Sequence, residues 1–368
     1  MVNEKRLLDT FLEYVQIDSE TKNEKAMGER LTEDLKALGF KVQTDKAGEG
    51  FGSNGFNVHA FLEGTIPGEP TIMCAHMDTV VPGNGIKPVI EDGVIHTDGS
   101  TILAGDDKSG IAAIMEALKV IREKKLPCRS TEILFTIGEE GGMHGVKNMD
   151  FGMIKGKEAM VFDASGDIGK VLTCGPGQVK IFATIIGRSS HAGLAPEAGI
   201  SAIQVAAKGI AKMNLLRIDE ETTCNIGTLK AEYATNIVPE KAEFVAEVRS
   251  RNLDKLNAQA EHIKQCLQEA CDEMGAVLEI ELKTNYVSFN VSDDDDLVKR
   301  VFASCERLGL EAQTAKGGGG SDANVMALHG IKPVVLSTGM TKVHTTNETL
   351  KVDDLNKCAE LVLDLMTH

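Results

Sequence analysis

Thr71-Ile72-Met73-Cys74-Ala75-His76-Met77-Asp78-Thr79-Val80 is the stretch on which the fold turns. Its first half reads as an apolar strand. The strand then delivers a histidine and an aspartate two positions apart. In open α/β sheets, ligands gather at the carboxyl ends of strands. One ring nitrogen of His76 is available to a metal while Asp78 accepts from the other, which would set tautomer and orientation. Alone, the pair fits equally a hydrogen-bonded histidine at a strand end.

Outward from this strand, helical and extended patterns alternate, as a sheet covered by helices requires. Arg6 to Val15, Glu24 to Leu38 and Lys108 to Arg122 carry helical spacing. Phe56 to Phe61 and Glu132 to Ile137 read as strands, and Val89 to His96 as a hairpin turned at Asp92-Gly93. Asp295 to Leu308 and Val352 to Met366 resume the helical rhythm around a central strand at Lys332 to Ser337.

Between these halves the pattern changes. Gln178 to Gly187, Ile200 to Met213, Thr222 to Leu229, Lys241 to Ser250, Leu253 to Met274 and Ala276 to Lys283 read as strand, helix, strand, strand, helix, strand. This βαββαβ order is ferredoxin-like, and the segment is long enough for an independent module. Residues 1–176 and 285–368 are therefore expected to form one α/β domain, interrupted by an inserted α+β domain at 177–284. The 368 residues exceed what one core usually supports, roughly 250–300 residues, which agrees with two domains.

Composition narrows the function. A net charge of -16 opposes attraction to nucleic acid or anionic lipid, so a small-molecule or peptide partner is expected. No apolar run reaches the roughly 18–20 residues needed to span a bilayer. Met1 to Arg6 leads into a helical pattern without the features of a signal peptide, and the eight cysteines are scattered without a CxxC pair; both favour a reducing cytoplasm.

Further acids and a histidine fall at element ends. Leu103-Ala104-Gly105-Asp106-Asp107-Lys108-Ser109-Gly110 is a small-residue loop entering a helix, where adjacent acids either cap the helix or bind a ligand. Thr136-Ile137-Gly138-Glu139-Glu140-Gly141-Gly142 brings two carboxylates into a Gly-rich bend, where they repel unless a cation or solvent offsets them. Met160-Val161-Phe162-Asp163 ends another strand in an acid, and Val343-His344-Thr345-Thr346-Asn347-Glu348 supplies a late histidine. Two histidines and three carboxylates suffice for two Zn²⁺ ions if one carboxylate bridges.

The motifs HMDTV, AGDDKSG and GEEGG, in this order across nearly the whole chain, resemble those of the dinuclear zinc exopeptidases and deacylases. That family includes peptidase T, glutamate carboxypeptidase and succinyl-diaminopimelate desuccinylase. The resemblance implies that His76, Asp106 and Asp163 hold one zinc and Asp106, Glu140 and His344 the other, with Co²⁺ or Mn²⁺ able to substitute. It further implies that Asp78 orients His76, that the Asp106-Asp107 peptide bond is cis, and that Glu139 is the general base activating water. The inserted domain becomes a lid and dimerisation domain. His191 of Arg188-Ser189-Ser190-His191-Ala192-Gly193, Asn236 and Arg249 become substrate-binding residues, though Arg249 also fits a surface ion pair and Asn236 a turn.

The expected activity is amide hydrolysis in small peptides by a tripeptide aminopeptidase resembling peptidase T, working as a homodimer. The late motif His344-Thr345-Thr346-Asn347-Glu348 is similar to the carboxypeptidase and deacylase branches, which supply the alternative. A non-catalytic metal- or peptide-binding module is the reading from another class; it would have no need of a base at Glu139.

Overall fold

The computed structural model describes residues 1–368 and divides into two compact units: Met1–Cys174 with Val291–Gly317 and Ser321–His368, and Gly175–Asn290 with Gly318–Gly320. Three segments expected in the first domain, 175–176, 285–290 and 318–320, thus belong to the second. Strand Val277–Tyr286 stays paired with strand Gly177–Ile186 as far as Tyr286 opposite Gln178. At Gly320 an added Cβ would fall 2.6 Å from the Tyr286 hydroxyl, so that loop lies against the same strand.

In the first unit the sheet runs in the order Val42–Thr44, Val58–Leu62, Arg129–Thr136, Ile66–His76, Glu158–Ala164, Lys332–Ser337, Lys170–Gly175, with Gln313–Lys316 beside the last. Its four middle strands, from Arg129–Thr136 to Lys332–Ser337, pair in parallel. The flanking strands Val58–Leu62 and Lys170–Gly175 join them antiparallel. The parallel core fixes where chemistry collects. His76 lies opposite Thr136 and Cys74 opposite Val161, so the segments leading to His76, Glu139 and Asp163 leave the sheet along one edge.

Helix Gly105–Lys124 is buried almost throughout its first four turns and packs against helices Val352–Thr367 and Glu4–Val15 and the strands beneath. Its burial includes the charged residues Asp106, Asp107, Lys108 and Glu116, so this helix lies in the core although it is not apolar throughout. By contrast Glu4–Val15 buries one stripe, Leu7, Phe11, Tyr14 and Val15, and leaves its charged face outside. All eight cysteines are buried and no disulfide joins them. No helix is long and apolar enough to cross a membrane.

The second unit is a five-stranded sheet in the order Leu216–Arg217, Thr222–Lys230, Lys241–Ser250, Gly177–Ile186, Val277–Tyr286, with antiparallel pairing throughout. Apart from the short first strand, this is the ferredoxin-like order. Helices Ala202–Ile210 and Leu253–Met274 pack on one face over Val179, Ile181, Phe244 and Val248. The first helix begins later than its sequence pattern predicts, because Ile200 is held extended by a bridge to Arg188 and Ser201 caps the helix.

Candidate active site

The residues nearest the centre arrive on five separate segments. His76 ends its strand with its side chain 2% exposed. Its Nε2 lies 3.1 Å from Asp106 Oδ1 and 3.7 Å from Asp163 Oδ1. The other oxygen of Asp106, Oδ2, lies 3.3 Å from His344 Nε2, and that same nitrogen is 2.8 Å from Glu140 Oε1. Asp106 therefore stands between the two histidines with one oxygen turned to each.

Local backbone explains how these side chains converge. Asp106 and Asp107 have non-helical torsions although they open a helix, and the peptide bond between them is cis, as expected. Neither aspartate caps that helix. Asp106 faces the histidines, while Asp107 accepts the His76 amide at 3.2 Å. The capping acceptor is Glu348, which takes the amides of Leu103, Ala104 and Asp106 at 2.9, 3.0 and 3.0 Å. Beyond Thr136 the chain turns at Gly138, whose φ of +61° favours glycine. The turn then closes through Gly142 and Met143 amides donating to Glu139 O. His344 itself holds a left-handed φ of +62°, an uncommon state for a side-chain-bearing residue and one that collects at functional sites.

Asp78 meets His76 through two groups. The nearest partner of His76 Nδ1 is the backbone carbonyl of Asp78 at 2.9 Å, with the carboxylate farther away at 3.6 Å. The carboxylate also accepts the amides of Glu139 and Glu140 at 2.9 and 3.2 Å and the Thr21 hydroxyl at 2.7 Å. Glu24 performs a parallel task, accepting the Gly138 amide at 3.1 Å and that of Lys22 at 2.9 Å. Thr21 and Glu24 were not singled out by the sequence, whereas Asp107 stood among the acids read as helix caps or ligands and Glu348 closed the motif four residues after His344 without a role of its own.

Electrostatically the cluster is short of positive charge. Burial opposes protonation of His76, but hydrogen bonds to Asp106 and Asp163 prevail and raise its pKa well above the usual range. Those to Asp106 and Glu140 carry His344 to about 10. Burial raises Asp163 to about 7 against its bond to His76, with repulsion from Asp106 and Glu140 adding to the rise. Glu139 is pushed well above the ordinary carboxyl range by burial and then by Asp163. Asp106 is held far below that range, burial notwithstanding, by His344 and His76.

Such a donor set fits divalent cations. His76, Asp106 and Glu140 place ligand atoms within 4.8 Å of one another, and so do His76, Glu139 and Asp163. Imidazole nitrogen with carboxylate oxygen is the combination that zinc and its neighbours in the first transition row accept. The remaining expected residues, His191, Asn236 and Arg249, lie in the second unit. There the His191 and Asn236 loops are tied together by the Ala192 amide donating to Asn236 O at 2.9 Å and by a bridge between His191 and Ile237. The Arg249 guanidinium engages Glu247 through Nε at 2.9 Å and Nη2 at 3.2 Å.

Comparison with known proteins agrees with this arrangement. The sequence model of peptidase family M20/M25/M40 matches residues 72–368. An uncharacterized protein of Bacillus subtilis, YqjE, is 43% identical over 366 residues, covering 100% of this chain and 99% of its own. Among solved structures, the aminopeptidase PepT of Bacillus cereus superposes with a TM-score of 0.93 at 42% identity, covering 100% of this chain and 98% of that one. A tripeptidase of Staphylococcus aureus does so with a TM-score of 0.96 at 39% identity and the same coverage. The chain belongs to peptidase family M20/M25/M40 and is a hydrolase.

Proposed function

We propose that this protein is a metal-dependent aminopeptidase that removes the N-terminal residue of short peptides, tripeptides foremost. The observation that carries the reading is the Asp106 carboxylate divided between His76 and His344. Two full-length relatives at about 40% identity described as an aminopeptidase and a tripeptidase support the substrate class.

In this reading His76, Asp106 and Asp163 hold one zinc ion and Asp106, Glu140 and His344 the second, with cobalt or manganese able to replace them. Bound there, the cations polarise the scissile carbonyl and lower the pKa of water towards 7. Glu139, 9% exposed beside His76 and Asp163, accepts the proton of the attacking water and returns it to the leaving amine. Asp78 holds Glu139 and Glu140 in place through their amides. His191 serves as a donor to the developing oxyanion, and Asn236 and Arg249 bind polar groups of the substrate; the family resemblance of their motifs supports those roles. The protein acts in the cytoplasm as a homodimer formed through the second unit, with no nucleic-acid or membrane partner.

The test is a peptide panel on zinc- and cobalt-loaded protein. Free tripeptides should be cleaved at their N-terminal bond, and N-acetylated versions should resist. Preferential cleavage of acetylated peptides, or release of the C-terminal residue, would replace this reading with the deacylase or carboxypeptidase alternative. Stoichiometric binding without turnover would favour the non-catalytic module.

A further inference from the structure

The Glu348 side chain belongs to neither metal triad, yet it is 1% exposed and both its oxygens are engaged at the entrance of helix Gly105–Lys124. Oε2 accepts the Leu103 and Ala104 amides and Oε1 the Asp106 amide. Leu103 and Ala104 lead into the helix and Asp106 is its second residue, and the helix's own N-cap, Ala104, offers no side-chain acceptor. An unsatisfied helix N-terminus buried in protein needs an acceptor from elsewhere, and an anion suits it best. That acceptor comes from a segment 242 residues away in sequence.

The same carboxylate also anchors the loop that carries His344. The loop is pinned at its base by the mutual backbone hydrogen bonds of Thr341 and Thr349, and within by the Glu348 amide donating to Thr345 O at 3.1 Å. Nothing in these contacts fixes how deeply the loop sits against Asp106. Glu348 does, because its side chain grips the Asp106 amide while its backbone lies four residues from His344. The fit is close: a Cβ added at Gly105 would fall 3.0 Å from Glu348 Oε1. His344 is the more exposed histidine of the pair, at 52% for its side chain against 2% for His76, and so depends more on its loop for position.

We infer that Glu348 is a positioning residue that holds His344 in register with Asp106, so that its loss weakens the cation site of Asp106, Glu140 and His344 and spares that of His76, Asp106 and Asp163. The inference rests on the two-cation reading proposed above. Outer groups that orient metal ligands typically change affinity by about 10- to 100-fold.

The experiment is calorimetric titration of metal-free protein with zinc, alongside cobalt absorption spectra, for wild type, Glu348→Gln, His344→Ala and the double variant. Wild type should bind two ions. Glu348→Gln, with one acceptor oxygen in place of two, should keep one site within threefold of wild type, about 0.7 kcal/mol, and weaken the other by at least tenfold. His344→Ala should weaken the same site, and the double variant should add little to it. Exchange of the Leu103, Ala104 and Asp106 amides in metal-free Glu348→Gln should quicken, a change that needs no metal. Gly105→Ala, which crowds Glu348 without altering it, should reproduce the selective loss if Glu348→Gln does not fold. Equal weakening of both sites, or two unchanged sites, in whichever of these variants folds would overturn the inference while leaving the two-cation reading intact. A wild type that binds one ion would overturn both.

Discussion

The carboxylate of Asp78 accepts the backbone amide of Glu139 at 2.9 Å, so the residue expected to orient His76 also holds the turn of the proposed base. The Glu140 amide shares the same carboxylate at 3.2 Å. Asp78 is wholly buried, and no solvent stands ready to replace it.

Asp78→Ala should therefore leave the buried Glu139 amide and the part-buried Glu140 amide without their acceptor, the buried one costing about 1–3 kcal/mol. Melting temperature and kcat should both fall, with Asp78→Asn, which keeps one acceptor oxygen, lying between. Differential scanning calorimetry and turnover on a tripeptide check this. Wild-type values for Asp78→Asn on both measures would show that the contact does not hold the turn.

Glu139 and Glu140 are neighbours with unlike contacts. Glu140 touches His344, whereas Glu139 gathers with His76 and Asp163, close enough to act as a ligand itself. Glu139→Gln should keep both metals and lose about 10²- to 10⁴-fold in kcat, the usual contribution of a positioned base. Glu140→Gln should weaken metal binding and regain activity in excess metal. Elemental analysis with kcat separates them; recovery of Glu139→Gln by added metal would make Glu139 a ligand.

Metal-free protein should show a pH-dependent penalty at Asp163. Burial raises its folded pKa from 3.8 to about 7, so its contribution to stability is fully present below 3.8 and lost as pH rises through about 7. Metal-free Asp163→Asn should melt above metal-free wild type at pH 8, with the gap closing towards pH 5. Saturating zinc should reverse the order, because binding stabilises the folded state and an amide is a poorer ligand. A gap independent of pH would remove the assignment.

Mixing His191→Ala chains with Glu139→Ala chains tests whether His191 serves a neighbouring subunit. Each homodimer should be nearly inactive. If His191 acts across the interface, the mixed dimer holds one site with both residues intact and should recover up to about half the wild-type rate per complementing pair. Sedimentation showing an active monomer, or no recovery on mixing, would exclude the arrangement.

Much of the site was legible because its residues end regular elements. His76, Glu139 and Asp163 follow buried strands whose apolar runs are plain in one dimension, and parallel pairing then brings their ends to one edge. The supporting carboxylates were illegible for a matching reason. Glu24 reads only as the first residue of a helical stretch, yet its bonds run to Ser53 and Gly138. Asp106 and Asp107 read as caps, but the cap comes from Glu348.

The linear order of apolar runs, turn residues and acids by itself determined the two-part architecture and the element ends that carry His76, Asp106-Asp107, Glu139-Glu140, Asp163 and His344, because strand and helix periodicity is a local property of the chain. The choice of Asp106 and Glu140 within their pairs came from the family resemblance. Which oxygen of Asp106 faces which histidine, which Asp78 atom meets His76, and which distant acid caps the Asp106 helix were decided only by tertiary structure. Hydrogen-bond direction depends on backbone torsions and on neighbours 242 residues away, and a buried amide takes whichever acceptor the packing brings within about 3 Å.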